Sequence, residues 1–290
     1  MKKILMGCGI LALLVLVVLG GGMYYLFHTV REHAPQAERI EEYERQMRER
    51  FGRAEDYVPP RAGIEPERLA LFVDVRERLK DAGSPIAARI DVLAQEMRSG
   101  NGAPGSFFGR MRTWARGFRS GMDVLGEGLQ YIGLADSMLL DAGMGRGEYL
   151  YNHLLSAQCW LGWTPTDVVA REGADPEGPF RELGEDMRTA SVRLFRQQLR
   201  NAQSAFESQP PASPQESAWA AAIDGALVRL PPPGVFPLEG KLPIEVDRNL
   251  EPYRAKLRSM LPDTVGELLV ESPLLMDSED SGAEVRVKFD

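Results

Sequence analysis

Residues Leu69–Met97 read LALFVDVRERLKDAGSPIAARIDVLAQEM, and the spacing of this stretch decides the fold class. Leu69, Phe72, Val75 and Leu79 recur three and four residues apart, which lines them along one face of a helix. Gly83 then reads as a stop, and Ser84-Pro85 as a capping serine followed by a proline at the first helical position. Ile86, Ile90, Leu93 and Met97 resume the helical spacing. The stretch therefore predicts a helical hairpin.

The same grammar extends toward the C-terminus. After the loop Ser99–Gly105, residues Phe107, Met111, Trp114, Phe118, Met122, Leu125, Leu129 and Ile132 form one narrow stripe. Gly117, Gly121 and Gly128 lie beside it, where small residues would admit a second helix. A helix is predicted over Arg146–Gly162, carrying Tyr149, Leu150, Leu154, Leu155, Trp160 and Leu161. Thr164-Pro165-Thr166-Asp167 starts a short helix and Pro179 a long one with Phe180, Leu183, Met187, Leu194 and Leu199. Ser213-Pro214-Gln215-Glu216 has the form of a capping box, between the proline pairs at 210–211 and the run at 231–233. Leu250, Tyr253, Leu257 and Leu261 mark a last helical region. Almost nothing alternates with the period of a strand. The fold class is all-α, with a single N-terminal transmembrane helix ahead of a multi-helix soluble domain.

Toward the N-terminus, Ile40, Tyr43, Met47 and Phe51 recur at helical spacing among Glu41, Glu42, Glu44, Arg45, Arg48 and Glu49. That is an amphipathic juxtamembrane helix, able to lift the domain off the surface, and Tyr57-Val58-Pro59-Pro60 ends it. Before it, no residue from Ile4 to Phe27 is charged, long enough for a helix to cross a bilayer core. Thirteen of these positions are Ile, Leu, Val or Phe; on an insertion scale they contribute roughly −4 to −8 kcal/mol. A cleaved signal would use Lys2 and Lys3 as its basic end and Gly20–Gly22 as its cleavage site. The apolar run continues through Met23, Tyr24, Tyr25, Leu26 and Phe27, which favours a retained anchor. Leu5-Met6-Gly7-Cys8 resembles a lipobox, but only four apolar residues follow the lysines before that cysteine. Lys2, Lys3 and the amino terminus favour a cytoplasmic start and an extracytoplasmic domain, against Arg31 and Arg39 beyond the helix.

The organisation expected is an anchor over 1–28, a charged juxtamembrane helix over 29–58 and a helical core domain over 59–207. Pro-rich segments with C-terminal helices follow over 208–276, a candidate small subdomain, and then a polar tail over 277–290. Val285, Val287 and Phe289 alternate in that tail, but a terminal segment this polar is expected to stay unstructured.

Composition narrows function without naming it. A net charge of −8 argues against a nucleic-acid binder that works by neutralising phosphates. Cys8 and Cys159 cannot make a disulfide framework. No P-loop, HExxH, CxxC or dinucleotide fingerprint is present, and no metal site or cofactor is implied.

The most suggestive constellation is the polar stripe Glu148, Asn152, Ser156 and Cys159, with His153 on a neighbouring aromatic stripe beside Tyr149 and Trp160. Glu148 would be a base or ligand and Cys159 a nucleophile. On an ideal helix, however, Glu148 and His153 stand about 140° apart, and His153 and Cys159 about 120°. Neither pair can meet locally, so the plainer interpretation is a polar stripe hydrogen-bonded inside the domain. Arg110, Arg112, Arg116 and Arg119 gather where no acid intervenes, a candidate basic patch for anionic lipid or an acidic partner. Asp136 and Asp141, five apart near a helix end, read either as paired carboxylates for acid–base work or, equally well, as solvated carboxylates at a turn. A tethered binding or scaffolding domain, with the membrane through Ile4–Phe27 and a protein or second copy as partners, fits best. The alternative is a small-molecule or lipid carrier, from the concentration of Trp114, Phe118, Trp160 and Trp163 around glycine-rich helices. An enzyme of unrecognised type ranks last.

Overall fold

The computed structural model describes residues 38–99, 126–128, 130–171, 179–228 and 236–275. The segment expected to be an anchor, the arginines at 110–119, Trp114, Phe118 and the polar tail lie outside the described residues. Among the described residues the structure is all-helical, with no strand, and no helix there is long and apolar enough to cross a membrane.

In chain order the helices are α1 (38–51), α2 (Pro66–Ser99), α3 (130–141), α4 (Arg146–Leu154), α5 (Pro165–Arg171), α6 (Pro179–Ser208), α7 (Pro214–Val228), α8 (Ile244–Leu250), α9 (Arg254–Ser259) and α10 (Val265–Leu275). A π-helical segment, Leu155–Trp160, continues α4. The starts at Pro165, Pro179 and Pro214 fall where the sequence puts them, because proline costs nothing at a position whose N–H would have no intrahelical partner.

The expected hairpin at Gly83-Ser84-Pro85 is instead the middle of one 34-residue helix. Ser84 caps nothing: its hydroxyl donates back to the Lys80 carbonyl at 2.9 Å. Gly83 is a place of close approach, not a stop. A β-carbon there would stand 2.9 Å from Val270 Cγ1 and 3.2 Å from the Tyr131 ring. Packing by α10 and Tyr131 thus overrides the local breaker signal. α10 runs antiparallel along α2, with Gly266 against the Ala87 backbone and its N–H donating to Asp91 at 2.8 Å.

That docking also corrects the idea of a separate C-terminal subdomain. Phe236, Leu238, Val246, Leu250, Leu257, Met260 and Leu268 are buried in the same core as Leu69, Phe72, Val75 and Leu79 of α2.

α1 does not project as a free stalk. Its stripe lies on the domain, with Met47 buried and Ile40 over Gly133 of α3. Arg146 fixes this arrangement by reaching Asp136 through two bonds of 2.8 and 2.7 Å, and Glu44 of α1 at 3.5 Å. Asp136 is fully buried, not solvated, while Asp141 remains exposed. At Gly128, no described residue comes within 4 Å of the β-carbon position.

The capping box before α7 forms in an altered way. Ser213 Oγ accepts the Glu216 N–H at 3.1 Å, as expected, but Glu216 accepts from the Ala212 N–H and from Arg61. Arg61 also donates to the Gln209 and Pro210 carbonyls and stacks on Phe206, so one side chain ties the end of α6 to the start of α7.

Candidate functional site

α4 crosses the centre of the molecule, and the residues from Tyr149 to Cys159 are all buried. α6 packs along it in the opposite direction: Gln198 donates to the Gly147 carbonyl, while Phe195, earlier on α6, stacks on Tyr151, later on α4. Gly147 is required where the Ala54–Tyr57 segment passes α4, because a β-carbon would lie 2.6 Å from Tyr57 Cβ and 2.9 Å from the Ala54 carbonyl.

The five residues singled out on this element do not converge. Glu148 is largely buried and is clasped by Arg68, whose Nε and Nη2 each donate to one carboxylate oxygen at 2.5 Å. Ser156 Oγ donates to the Asn152 and His153 carbonyls, at 2.7 and 3.2 Å, inside its own helix. Cys159 donates its thiol proton to the Pro237 carbonyl at 3.1 Å. Burial, with Glu239 adding to it, pushes that thiol well above its ordinary range, the reverse of what a nucleophile needs. The π-helical segment also changes the geometry. With a wider turn after Leu154, Ser156 and Cys159 depart from the spacing that an ideal helix gives them.

His153 is set differently. Its ring stacks on Tyr149 at 6.5 Å between centroids and meets Trp163 edge-on at 6.2 Å. Burial, reinforced by the Arg76 charge, holds its pKa well below the usual histidine value, so the ring is neutral. Nε2 is buried with no hydrogen-bond partner among the described residues.

Around it lies a cluster that the sequence reasoning missed. Arg76 of α2 is only 4% exposed and donates to Glu271 Oε1 of α10 at 2.7 Å, to the Tyr149 hydroxyl at 3.0 Å and to the Met260 carbonyl at 3.0 Å. Burial raises the Glu271 carboxyl above the ordinary carboxylate range, while Arg76 pulls it the other way. Lys80, one turn along α2, repeats the link to α10 through Glu267 at 3.4 Å. The only local hint in the sequence was that Arg76 sits between Val75 and Leu79 on the apolar side of its helix.

The tryptophans are likewise engaged. Trp163 is buried and donates to the Pro262 carbonyl at 3.2 Å; Trp160 donates to Asp247 at 2.7 Å under the Arg254 guanidinium. Among the described residues no group of three or more His, Cys, Asp or Glu could hold a metal ion.

The open concavity of interest lies elsewhere, between α1 and α3. It is a groove of about 310 Å³ lined by Arg39, Ile40, Tyr43, Gln130, Gly133, Leu134 and Ser137. Leu134 is 43% exposed there. No protein-family model matches this chain, and neither does any curated protein or solved structure.

Proposed function

We propose that the chain is a single-pass membrane protein whose uncharged segment Ile4–Phe27 tethers a helical binding or scaffolding domain, held on the extracytoplasmic side. The observation that carries this is the run itself: twenty-four consecutive residues without a charge, in a chain that is 26% charged overall. A domain that binds, and does no chemistry of its own, agrees with the state of α4. There Glu148 is paired with Arg68, Ser156 is spent on its own helix, and the Cys159 thiol is sealed under Pro237.

In-cell crosslinking of the full chain tests the binding role. A defined partner or homo-oligomer is the expected product; a monomer under several crosslinker lengths would count against it. The carrier alternative draws support from one place, the groove between α1 and α3, and not from Trp160 and Trp163, whose ring nitrogens are already engaged.

A further inference from the structure

The helix that follows the anchor segment bears an asymmetry of charge. α1 carries Glu38, Glu41, Glu42, Glu44 and Glu49, yet none of them lines the groove. Glu42 and Glu49 bond Arg45, and Glu44 bonds Arg146. Among the described residues, what remains at the groove is apolar surface from Ile40 and Leu134, the Tyr43 ring, the neutral Gln130 and Ser137, and one charge, the exposed Arg39. Gly133 makes the floor, with Ile40 Cγ1 3.3 Å from where its β-carbon would stand. In a chain of net charge −8, this lining suits an amphiphile with an alkyl chain and a phosphate head.

Chain length says where that amphiphile would come from. Ile40 follows Phe27 by thirteen residue steps, with twelve residues between them. Fully extended, they reach at most about 45 Å, and as a helix about 20 Å. If Phe27 ends a membrane span, the groove is confined to the neighbourhood of that membrane surface. Aromatic and apolar side chains with a basic rim are what an interfacial contact uses.

We propose that the groove between α1 and α3 docks onto the host bilayer and takes a phospholipid from it, with the acyl chain over Ile40, Tyr43 and Leu134 and the phosphate at Arg39. This rests on the membrane-anchored reading, and it adds a second, lateral contact that orients the domain on the bilayer.

The test uses the full chain with Cys8→Ser, reconstituted into vesicles of phosphatidylcholine and phosphatidylglycerol. A fluorophore is placed at Leu134→Cys or, as a control, at Val228→Cys on α7, where the native side chain is 82% exposed. Expected is doxyl-lipid quenching about twofold or more stronger at 134 than at 228, with the reverse order for aqueous iodide, as shallow interfacial burial requires. Adding Arg39→Glu should reduce the lipid quenching at 134 and leave 228 unchanged. Equal quenching at both positions in protein that co-floats with the vesicles overturns the docking proposal while the anchor stands. Shielding of 134 from both quenchers also overturns it, since a protein surface then covers the groove. Protein that fails to co-float overturns the anchor reading, and the docking with it.

Discussion

Protonating His153 would put a charge on a ring stacked on Tyr149, with Trp163 at its edge and the Arg76 guanidinium acting on it. The folded chain therefore resists that proton, whereas the unfolded chain accepts it near the ordinary value of 6.5. Because the folded pKa is the lower one, this contribution to stability is complete above the unfolded value and is lost as pH falls below it. The slope approaches about 1.4 kcal/mol per pH unit for one proton. Denaturant titrations between pH 7.5 and 5.5 should show His153→Gln losing less stability on acidification than the parent chain; equal losses would contradict the account. Arg76 is the opposite case, a buried charge kept by its partner. Arg76→Met leaves Glu271 buried and uncompensated and should cost about 3–5 kcal/mol. Arg76→Met with Glu271→Leu should recover much of that, and a double variant no better than the single one would mean that the pair is not the source. Neither role was legible in the sequence. Glu271 is 195 residues from Arg76 and Arg68 is 80 from Glu148, so the partners that neutralise these groups come from tertiary structure.

At the scale of elements, helix starts were legible and one helix interior was not. Pro165, Pro179 and Pro214 each stand where proline suits a first turn, and the capping serine at 213 does what its spacing predicts. Gly83-Ser84-Pro85 carries the same local signs and is overruled, because Gly83 faces Val270 and Tyr131 across the packed α2–α10 seam. The conflict has a measurable consequence. Pro85 is exposed and interrupts the backbone ladder of α2 without contributing buried packing. Pro85→Ala restores a donor and should stabilise the chain by about 1–3 kcal/mol, read as a higher thermal midpoint. A lower midpoint would mean that the proline bends α2 into a shape that α10 needs. The polar stripe on α4 departs from ideal spacing at a π-helical segment, where Ser156 and Cys159 are buried and donate to backbone carbonyls.

For the whole molecule, the all-helical class followed from periodicity alone, since buried faces three and four residues apart leave no other regular structure. The single core was harder to foresee. The proline-rich stretches suggested a boundary, yet Phe236, Val246 and Leu257 beyond them share one apolar cluster with Phe72 and Leu79. α1, expected as a stalk, contributes Met47 to that core and so lies on the domain itself. A tether this close would leave the domain little freedom above a bilayer. The measurement that bears most directly on it is intact mass combined with alkaline extraction and flotation of the natively expressed chain. Tethering predicts a protein that begins at residue 1, resists alkaline extraction and floats with lipid. A freely soluble product beginning near residue 23 would contradict it.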